Sequence, residues 1–365
     1  MKVAVIHYWL VNMRGGEKVL EALLEMFPQA DVYTHVYNPS GVSDLINSHR
    51  VSTSYIQKLP FAKKLYQNYM PLMPNALKGF NLQDYDLIIS SESGPAKGVV
   101  PNPDAYHICY CHSPMRYLWD MYHDYFQGAN PVVRFFMNRL IPGLRLWDIA
   151  SANLVDRFIA NSRYVAQRIR RYYNREADIV FPPVAIEKYL SLERKPEDFY
   201  LFFGQLTGYK RADIAIEACI ASGRKLVVAG AGAKDRTIRK YKKSGLITFL
   251  GRISDEEIRD LFSRARALLF PGIEDFGIIP VEANAAGCPV IAYCKGGVLD
   301  TVKENVTGIF FDEQTPAALV GAMEKFEAME AQFSGRTPFT NHVQQFSTKA
   351  FIDRVTQIIA DRKRI

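Results

Sequence analysis

No apolar run in this chain of 365 residues approaches the roughly 20 that a membrane-spanning helix needs. No low-complexity tract or short internal repeat is visible, so a solenoid or an extended disordered arm is not expected. The five cysteines are odd in number and scattered, which excludes a disulfide framework and fits reduced thiols in a cytoplasmic protein. Met1-Lys2-Val3-Ala4-Val5-Ile6 leads straight into a strand rather than a leader peptide, again a cytoplasmic expectation. The formal charge of +7 and pI near 9.0 fit nucleic acid, an anionic membrane or phosphorylated substrates. No zinc-finger, RNA-binding or basic-zipper pattern accompanies that charge, so nucleic acid is not an expected partner. Cys109-Tyr110-Cys111-His112 has no second ligand cluster, and Asp84-Tyr85-Asp86 leads into a strand instead of leaving one. No metal site is therefore expected.

Short apolar strands alternate with helical patterns along the whole chain. In the first half the strand-like pieces are 3–7, 31–34, 86–90, 106–110, 157–160 and 178–180; in the second, 200–203, 225–229, 246–250, 267–270, 289–292 and 308–311. This alternation predicts an α/β fold with doubly wound parallel sheets. The length exceeds what one hydrophobic core serves, and Phe181-Pro182-Pro183-Val184 reads as a stiff hinge between two domains.

The most informative stretch runs from Phe270 to Ala283. A buried strand is followed by a loop carrying Glu274, Phe276 and Gly277, then Ile278 and a helix opening near Pro280 and ending at Gly287. Such a turn aims backbone N–H groups and a positive dipole end at a ligand. With Glu274 and Glu282 flanking it, the ligand should carry both phosphates and hydroxyls, as a nucleotide sugar does. Gly204-Gln205-Leu206-Thr207-Gly208-Tyr209-Lys210-Arg211 follows another strand and precedes a helix at 212–221. A lysine there opposes the helix dipole and calls for an anion, which a diphosphate would supply. In the first half, Gly15-Gly16 stands between a strand and a helical pattern over 17–27, permitting close approach of a phosphate or simply a packing turn. His112 lies at the end of a strand, beside Arg116 and Tyr117, where open α/β sheets bind ligands.

Two further segments interleave aromatic, aliphatic and basic residues. One, between Arg50 and Pro74, carries Tyr55, Ile56, Leu59, Phe61, Leu65, Tyr66, Tyr69, Met70 and Leu72 among Lys58, Lys63 and Lys64. The other carries Val132, Val133, Arg134, Phe135, Phe136, Arg139, Leu140, Arg145, Leu146 and Trp147. Both read either as amphipathic core helices with snorkelling cations or as contacts with an anionic membrane surface.

At these residues a family resemblance emerges. Glu274 and Glu282, with Phe276-Gly277-Ile278 and Pro280 between them, resemble the Glu-x7-Glu signature of the family-4 retaining glycosyltransferases. Gly287 to Ala292, Gly296-Gly297 and the phosphate loop from Phe203 to Arg211 are similar to that family as well. Gly15-Gly16, Lys97-Gly98, Cys111 to Tyr117 and Ala160-Asn161-Ser162 look most like mannosyl- or rhamnosyltransferases of O-antigen-type polysaccharide assembly. One departure stands out: the family places Arg after the phosphate-loop glycine, and here Gln205 stands there, leaving Arg211, Arg14 or Arg116 to compensate.

The resemblance implies a GT-B fold: an acceptor-side Rossmann-like domain over 1–182, with the helix 347–365 packing back on it, and a donor domain over 183–346, facing each other across a cleft. It implies retaining, metal-independent transfer of a hexosyl group, with GDP-mannose as the donor bet, to a glycan or polyprenyl-linked saccharide. No cofactor is implied. In that scheme Glu274 lies toward the sugar, Glu282 toward the ribose, and Lys210 with the N–H groups of Gly277 and Ile278 on the diphosphate. Gly15, Gly16, Gly204, Gln205, Arg211 and Phe276 complete the donor side, while His112 faces the sugar and Arg116 and Tyr117 belong to the acceptor side. Localisation would be cytoplasmic, peripheral on the inner face of the membrane. A nucleotide-sugar epimerase is the competing reading; an NAD-dependent oxidoreductase lacks a complete glycine fingerprint.

Overall fold

The computed structural model describes residues 1–122, 131–232, 240–241 and 244–362, and within the helix Pro131–Ser151 it leaves the side chains at 131–133 and 136 undescribed. The chain divides into two compact units, Met1–Pro183 with Phe351–Ile365, and Val184–Ala350.

The first unit is built on a seven-stranded sheet in the order β3-β2-β1-β4-β5-β6-β7. Its strands are β1 (Val3–His7), β2 (Asp31–Thr34), β3 (Val51–Thr53), β4 (Leu87–Glu92), β5 (Tyr106–Cys111), β6 (Arg157–Ala160) and β7 (Ala177–Ile179). Every pairing is parallel. The near-continuous apolar runs follow from this, because parallel strands are covered on both faces: β1 and β4 are buried at every position. The chain builds outward from β1 to β3, then returns to the other side of β1 with β4. The strand order therefore reverses between β1 and β4, which is where such sheets open a crevice at their carboxyl ends.

The second unit repeats the plan with six parallel strands in the order β10-β9-β8-β11-β12-β13. They are β8 (Tyr200–Phe203), β9 (Leu226–Ala229), β10 (Ile247–Gly251), β11 (Leu268–Phe270), β12 (Val290–Tyr293) and β13 (Gly308–Phe311). Here the order reverses between β8 and β11. The terminal helix Thr348–Ala360 belongs to the first unit: Phe351, Val355 and Ile358 are buried in one cluster with Val3, Val5, Ile108 and Tyr110.

The sequence reading and the structure part in four places. Strand β3 was not expected; Val51-Ser52-Thr53 is too short for an alternation to register. The first helix begins at Gly15, so Gly15 and Gly16 form its first turn and not the connection before it. The helix after Gly277 starts at Ile278, with Pro280 as its third residue, a position that needs no intrahelical N–H bond. Residues 55–79, read as amphipathic core helices or a membrane contact, make a string of short helical turns, none longer than seven residues. The buried members Ile56, Ala62, Met70 and Met73 join Ile141 and Leu144 of the helix Pro131–Ser151 in a single cluster, so both basic-aromatic segments pack together. Of that second segment, the side chains of Val132, Val133 and Phe136 lie outside the described residues.

Lys97 is the most constrained side chain of the first unit. It is fully buried, with its ammonium 2.8 Å from the Glu92 carboxylate and in contact with that of Asp148. Burial opposes its charge, but the two carboxylates outweigh that and hold its pKa up. Glu92 also accepts from the backbone N–H groups of Ala96 and Lys97, and Asp148 accepts from Trp119 Nε1 at 2.8 Å. The trio fixes the loop after β4 to the helix Pro131–Ser151. Removing the cation leaves two carboxylates buried without it, a loss of about 3–5 kcal/mol. Lys97→Ala should shift the urea midpoint sharply downward; an unchanged midpoint contradicts this structural role.

Candidate active site

In the second unit the residues singled out by sequence collect at the reversal between β8 and β11. Gly204 follows β8 with φ +147°. Behind it a Cβ on Gly230, itself at φ +130°, would stand 1.9 Å from the Gly204 carbonyl oxygen, so the loops after β8 and β9 touch backbone to backbone. In front, a Cβ on Gly204 would come within 3.0 Å of Lys210 Nζ. Gly272, in the loop after β11, meets the Lys210 main chain with equal intimacy: a Cβ there would lie 2.8 Å from its Cα. Gly204 and Gly272 thus enclose Lys210 at the carboxyl end of the sheet, with Gly230 backing Gly204.

Lys210 Nζ lies 2.9 Å from Glu274 Oε1, and both side chains are mostly covered. The anion that the sequence reading required for Lys210 is therefore present within the protein, as Glu274, and a diphosphate is not needed to explain it. Glu274 is itself held by its backbone, whose carbonyl accepts from Gly297 N at 2.8 Å. Gly297 has no room for a side chain: a Cβ would sit 2.3 Å from the Asp275 oxygen and Phe276 Cα. Gly277, at φ +95°, caps the helix Ile278–Ala285 and turns its first amides toward the same end of the sheet. Phe276 is buried with its ring 5.7 Å from that of Phe346, and so supports the loop from behind.

Glu282 lies one turn along this helix and accepts a hydrogen bond from the Tyr189 hydroxyl. Burial raises its pKa from the ordinary 4.5 to about 7, with the Tyr189 bond opposing, Asp255 adding and Lys188 opposing. Tyr189 went unnoticed in the sequence because it belongs to a four-residue helix, Glu187–Leu190, just past the hinge. The other two donor-side residues diverge. Gln205 is exposed. Arg211 adopts a left-handed backbone, φ +52°, and turns its guanidinium to Asp213 at 2.9 Å, not toward Lys210.

In the first unit, His112 follows β5 directly. Its backbone N–H donates to the Glu92 carbonyl at 2.7 Å, and its carbonyl accepts from Asn161 Nδ2 at 2.9 Å. Its Nε2 is 2.8 Å from Ser91 Oγ. Gly16 lies close by in the fold: a Cβ would come within 2.4 Å of the Tyr8 hydroxyl and 3.5 Å of His7 Cε1. The close approach anticipated for a phosphate is thus taken, at least in part, by Tyr8. Gly15 precedes it as the first helical residue. Arg116 points a guanidinium N–H to Met121 Sδ at 3.5 Å, and Tyr117 is partly covered. Arg168 secures this loop by donating to Ser113 Oγ and Asp120 Oδ1, both at 2.6 Å. Asp86 of the rejected Asp-x-Asp accepts from Lys2 N at 2.6 Å, a strand-entry role.

Two doubly wound parallel domains, each with its site residues at the point of strand reversal, define the GT-B fold of the glycosyltransferases. Residues 13–188 match Glycosyltransferase Family 4 and residues 187–350 match Glycosyl transferases group 1, so the chain consists of two glycosyltransferase domains. It is 27% identical over 248 residues to the mouse Alpha-1,3/1,6-mannosyltransferase ALG2, a match covering 57% of this chain and 59% of that one. The curated relatives it matches are each spanned over less than two thirds of their length. Among solved structures, HepE of Anabaena in complex with UDP superposes with a TM-score of 0.71 at 16% identity, covering 99% of this chain and 100% of that one. Sucrose-phosphate synthase of Thermosynechococcus elongatus gives a TM-score of 0.74 at 18% identity over 99% and 98%. At such identities the likeness is one of fold.

The Glu282 environment has a thermodynamic signature. A carboxyl whose pKa is raised on folding is unpenalised below pH 4.5, and the penalty on its charged form grows until the pH passes about 7. Glu282→Gln should therefore gain stability over the parent protein as pH rises from 5 to 8, by on the order of 2 kcal/mol at the upper end. Melting curves of both proteins across that range test it; parallel curves would sink the assignment.

Proposed function

We propose that this chain is a retaining glycosyltransferase that moves a hexosyl group, mannosyl from GDP-mannose, to a glycan or polyprenyl-linked saccharide. The observation that carries the reading is the cluster at the β8–β11 reversal: a cation in contact with a carboxylate, a helix that starts just after that carboxylate, and a second carboxylate one turn along the helix. A nucleoside-diphosphate sugar needs each of them. As the anomeric bond breaks, negative charge grows on the departing diphosphate, and fixed positive charge aimed there lowers the barrier. Lys210 and the amides of Gly277 and Ile278 take that part. Gly204 gives Lys210 its room and Phe276 holds the loop that carries Glu274, and Glu282 accepts from the ribose hydroxyls in place of the Tyr189 hydroxyl. When the diphosphate takes over Lys210, Glu274 is released toward the sugar, where it binds hydroxyls or stabilises oxocarbenium character.

With the charge carried by Lys210 and the helix amides, the proposed reaction requires no metal. Gln205 and Arg211 contribute less than the family pattern implies, since one is exposed and the other is turned to Asp213. We assign the acceptor side to the first unit, with His112 facing the sugar, Arg116 and Tyr117 on the acceptor, and Gly15 and Gly16 at the start of their helix. The mannosyl choice is supported by the mannosyltransferase named among the relatives.

We also place the enzyme peripherally on the inner face of an anionic membrane. No helix among the described residues is long and apolar enough to span one. The two basic-aromatic segments share a core cluster and leave Phe61 and Leu146 exposed by 74% and 70%. Lys58, Lys63, Lys64, Arg134 and Arg139 are exposed on the same segments, whereas Arg145 donates inward to the Leu118 carbonyl at 2.6 Å.

Losing one preorganised donor costs about 2.7–4 kcal/mol in the barrier, so Lys210→Ala should reduce turnover by roughly a hundredfold or more. Turnover equal to the parent's would refute the phosphate role. A thermal-shift panel should show stabilisation by GDP or UDP and none by NAD, and sugar release dependent on acceptor then separates transfer from epimerisation. On sucrose gradients the protein should float with vesicles containing phosphatidylglycerol and lose them as salt rises; failure to float at low salt excludes the membrane contact.

A further inference from the structure

At the strand reversal of the first unit, four side chains form a continuous polar line through an otherwise apolar interior. Parallel pairing sets His7, the last residue of β1, beside Ser91 of β4, and the next strand over, β5, ends one residue before His112. Ser91 Oγ stands 3.0 Å from His7 Nδ1 and 2.8 Å from His112 Nε2, so one hydroxyl bridges two imidazoles. On the far side, His7 Nε2 is 3.6 Å from Glu17 Oε1, and the other oxygen of Glu17 accepts from Arg14 N at 2.8 Å. His7, Ser91 and Glu17 are buried to 1% exposure or less, whereas His112 is partly exposed. Gly16 borders the line: a Cβ there would touch the His7 ring at 3.5 Å and clash with the Tyr8 hydroxyl at 2.4 Å.

We infer that Glu17, His7 and Ser91 form a buried positioning relay that fixes which ring nitrogen of His112 carries its proton. The direction follows from the Glu17 end. A carboxylate facing His7 Nε2 favours the proton on that nitrogen, since a lone pair there would face lone pairs. His7 Nδ1 is then an acceptor and takes the Ser91 hydroxyl proton. The hydroxyl has one proton to give, so toward His112 its oxygen accepts, and His112 Nε2 donates. The neutral His112 ring therefore holds its proton on Nε2 and its lone pair on Nδ1, which makes Nδ1 a hydrogen-bond acceptor. Such a nitrogen suits a hydroxyl group, the commonest group on a sugar, and does not suit a phosphate oxygen. The relay is independent of transferase activity; its consequence for turnover rests on the assignment of His112 to the sugar.

Two measurements test it separately. Long-range nitrogen–proton NMR at neutral pH, with the His112 signals identified by comparison with His112→Asn, reads the tautomer in the intact protein. We expect a protonated Nε2 and a pyridine-like Nδ1; protonation on Nδ1, or an even mixture, overturns the relay. Ser91→Ala should shift the ring toward a mixture, and Ser91→Thr, which keeps the hydroxyl, should restore it. An Ala variant that melts like the parent and leaves the tautomer unchanged also overturns it. The second measurement is transfer activity. Ser91→Ala should lower kcat by roughly tenfold, about the worth of one aligned hydrogen bond to the sugar, with little change in the KM for donor and with recovery in Ser91→Thr. If the tautomer shifts and kcat does not, the relay stands and the assignment of His112 to the sugar falls.

Discussion

Parallel strand pairing is the constraint from which the functional geometry descends. When every strand in a sheet runs the same way, every strand delivers its last residue to the same edge, and the connections that leave there are the ones free to vary. In the first unit that edge receives His7, Ser91, Glu92 and Cys111 side by side, because their strands are in register. In the second it receives Phe203, Ala229, Phe270 and Tyr293, and the loops that follow carry Gly204, Gly230, Gly272 and Glu274. Neither group is close in sequence. Each is assembled by the order in which strands were laid down, and each lies where that order reverses.

Charge near these edges is compensated locally at three places among the described residues. Lys97 is enclosed by Glu92 and Asp148, Lys210 is matched by Glu274, and Arg211 is matched by Asp213. The three pairings have different physical standing. The Lys97 trio is fully buried and forms part of the scaffold; an uncompensated charge at that depth would be ruinous. Arg211 and Asp213 are neighbours on an exposed turn and contribute little to stability. Lys210 and Glu274 lie between these extremes, covered enough to attract strongly and open enough to exchange partners.

The architecture was legible in the sequence because buried parallel strands are short apolar runs, and twelve such runs were separated by helical periods or turns. Strand β3 was not, since three residues of mixed polarity carry no period. Lys210, Glu274, Glu282 and Gly277 could be chosen from spacing and from the chemistry of helix starts. Their partners could not. That Lys210 pairs with Glu274 depends on Gly204 and Gly272 closing the distance between loops more than 60 residues apart. That Glu282 meets Tyr189 depends on the short helix after the hinge. Gly16 was singled out as a place where a phosphate could approach the backbone closely, and the side chains that do so are those of His7 and Tyr8, at the end of β1 and just after it. Sequence identifies residues whose own local geometry is unusual; it is silent about which two unusual residues will meet.

The Lys210–Glu274 contact has a consequence for what the second unit could bind. A cation that already has an internal counter-ion presents a weaker field to the surrounding solution than a free one. In the proposed reaction a diphosphate would not fill a positive hole; it would exchange places with the Glu274 carboxylate, and the liberated carboxylate would then have to be satisfied by something else in the same ligand. Inorganic phosphate can displace Glu274 but has nothing to give it in return. A molecule with hydroxyls at the correct reach can do both, so on the proposed reading recognition of the anion and recognition of the sugar become a single exchange reaction rather than two independent affinities.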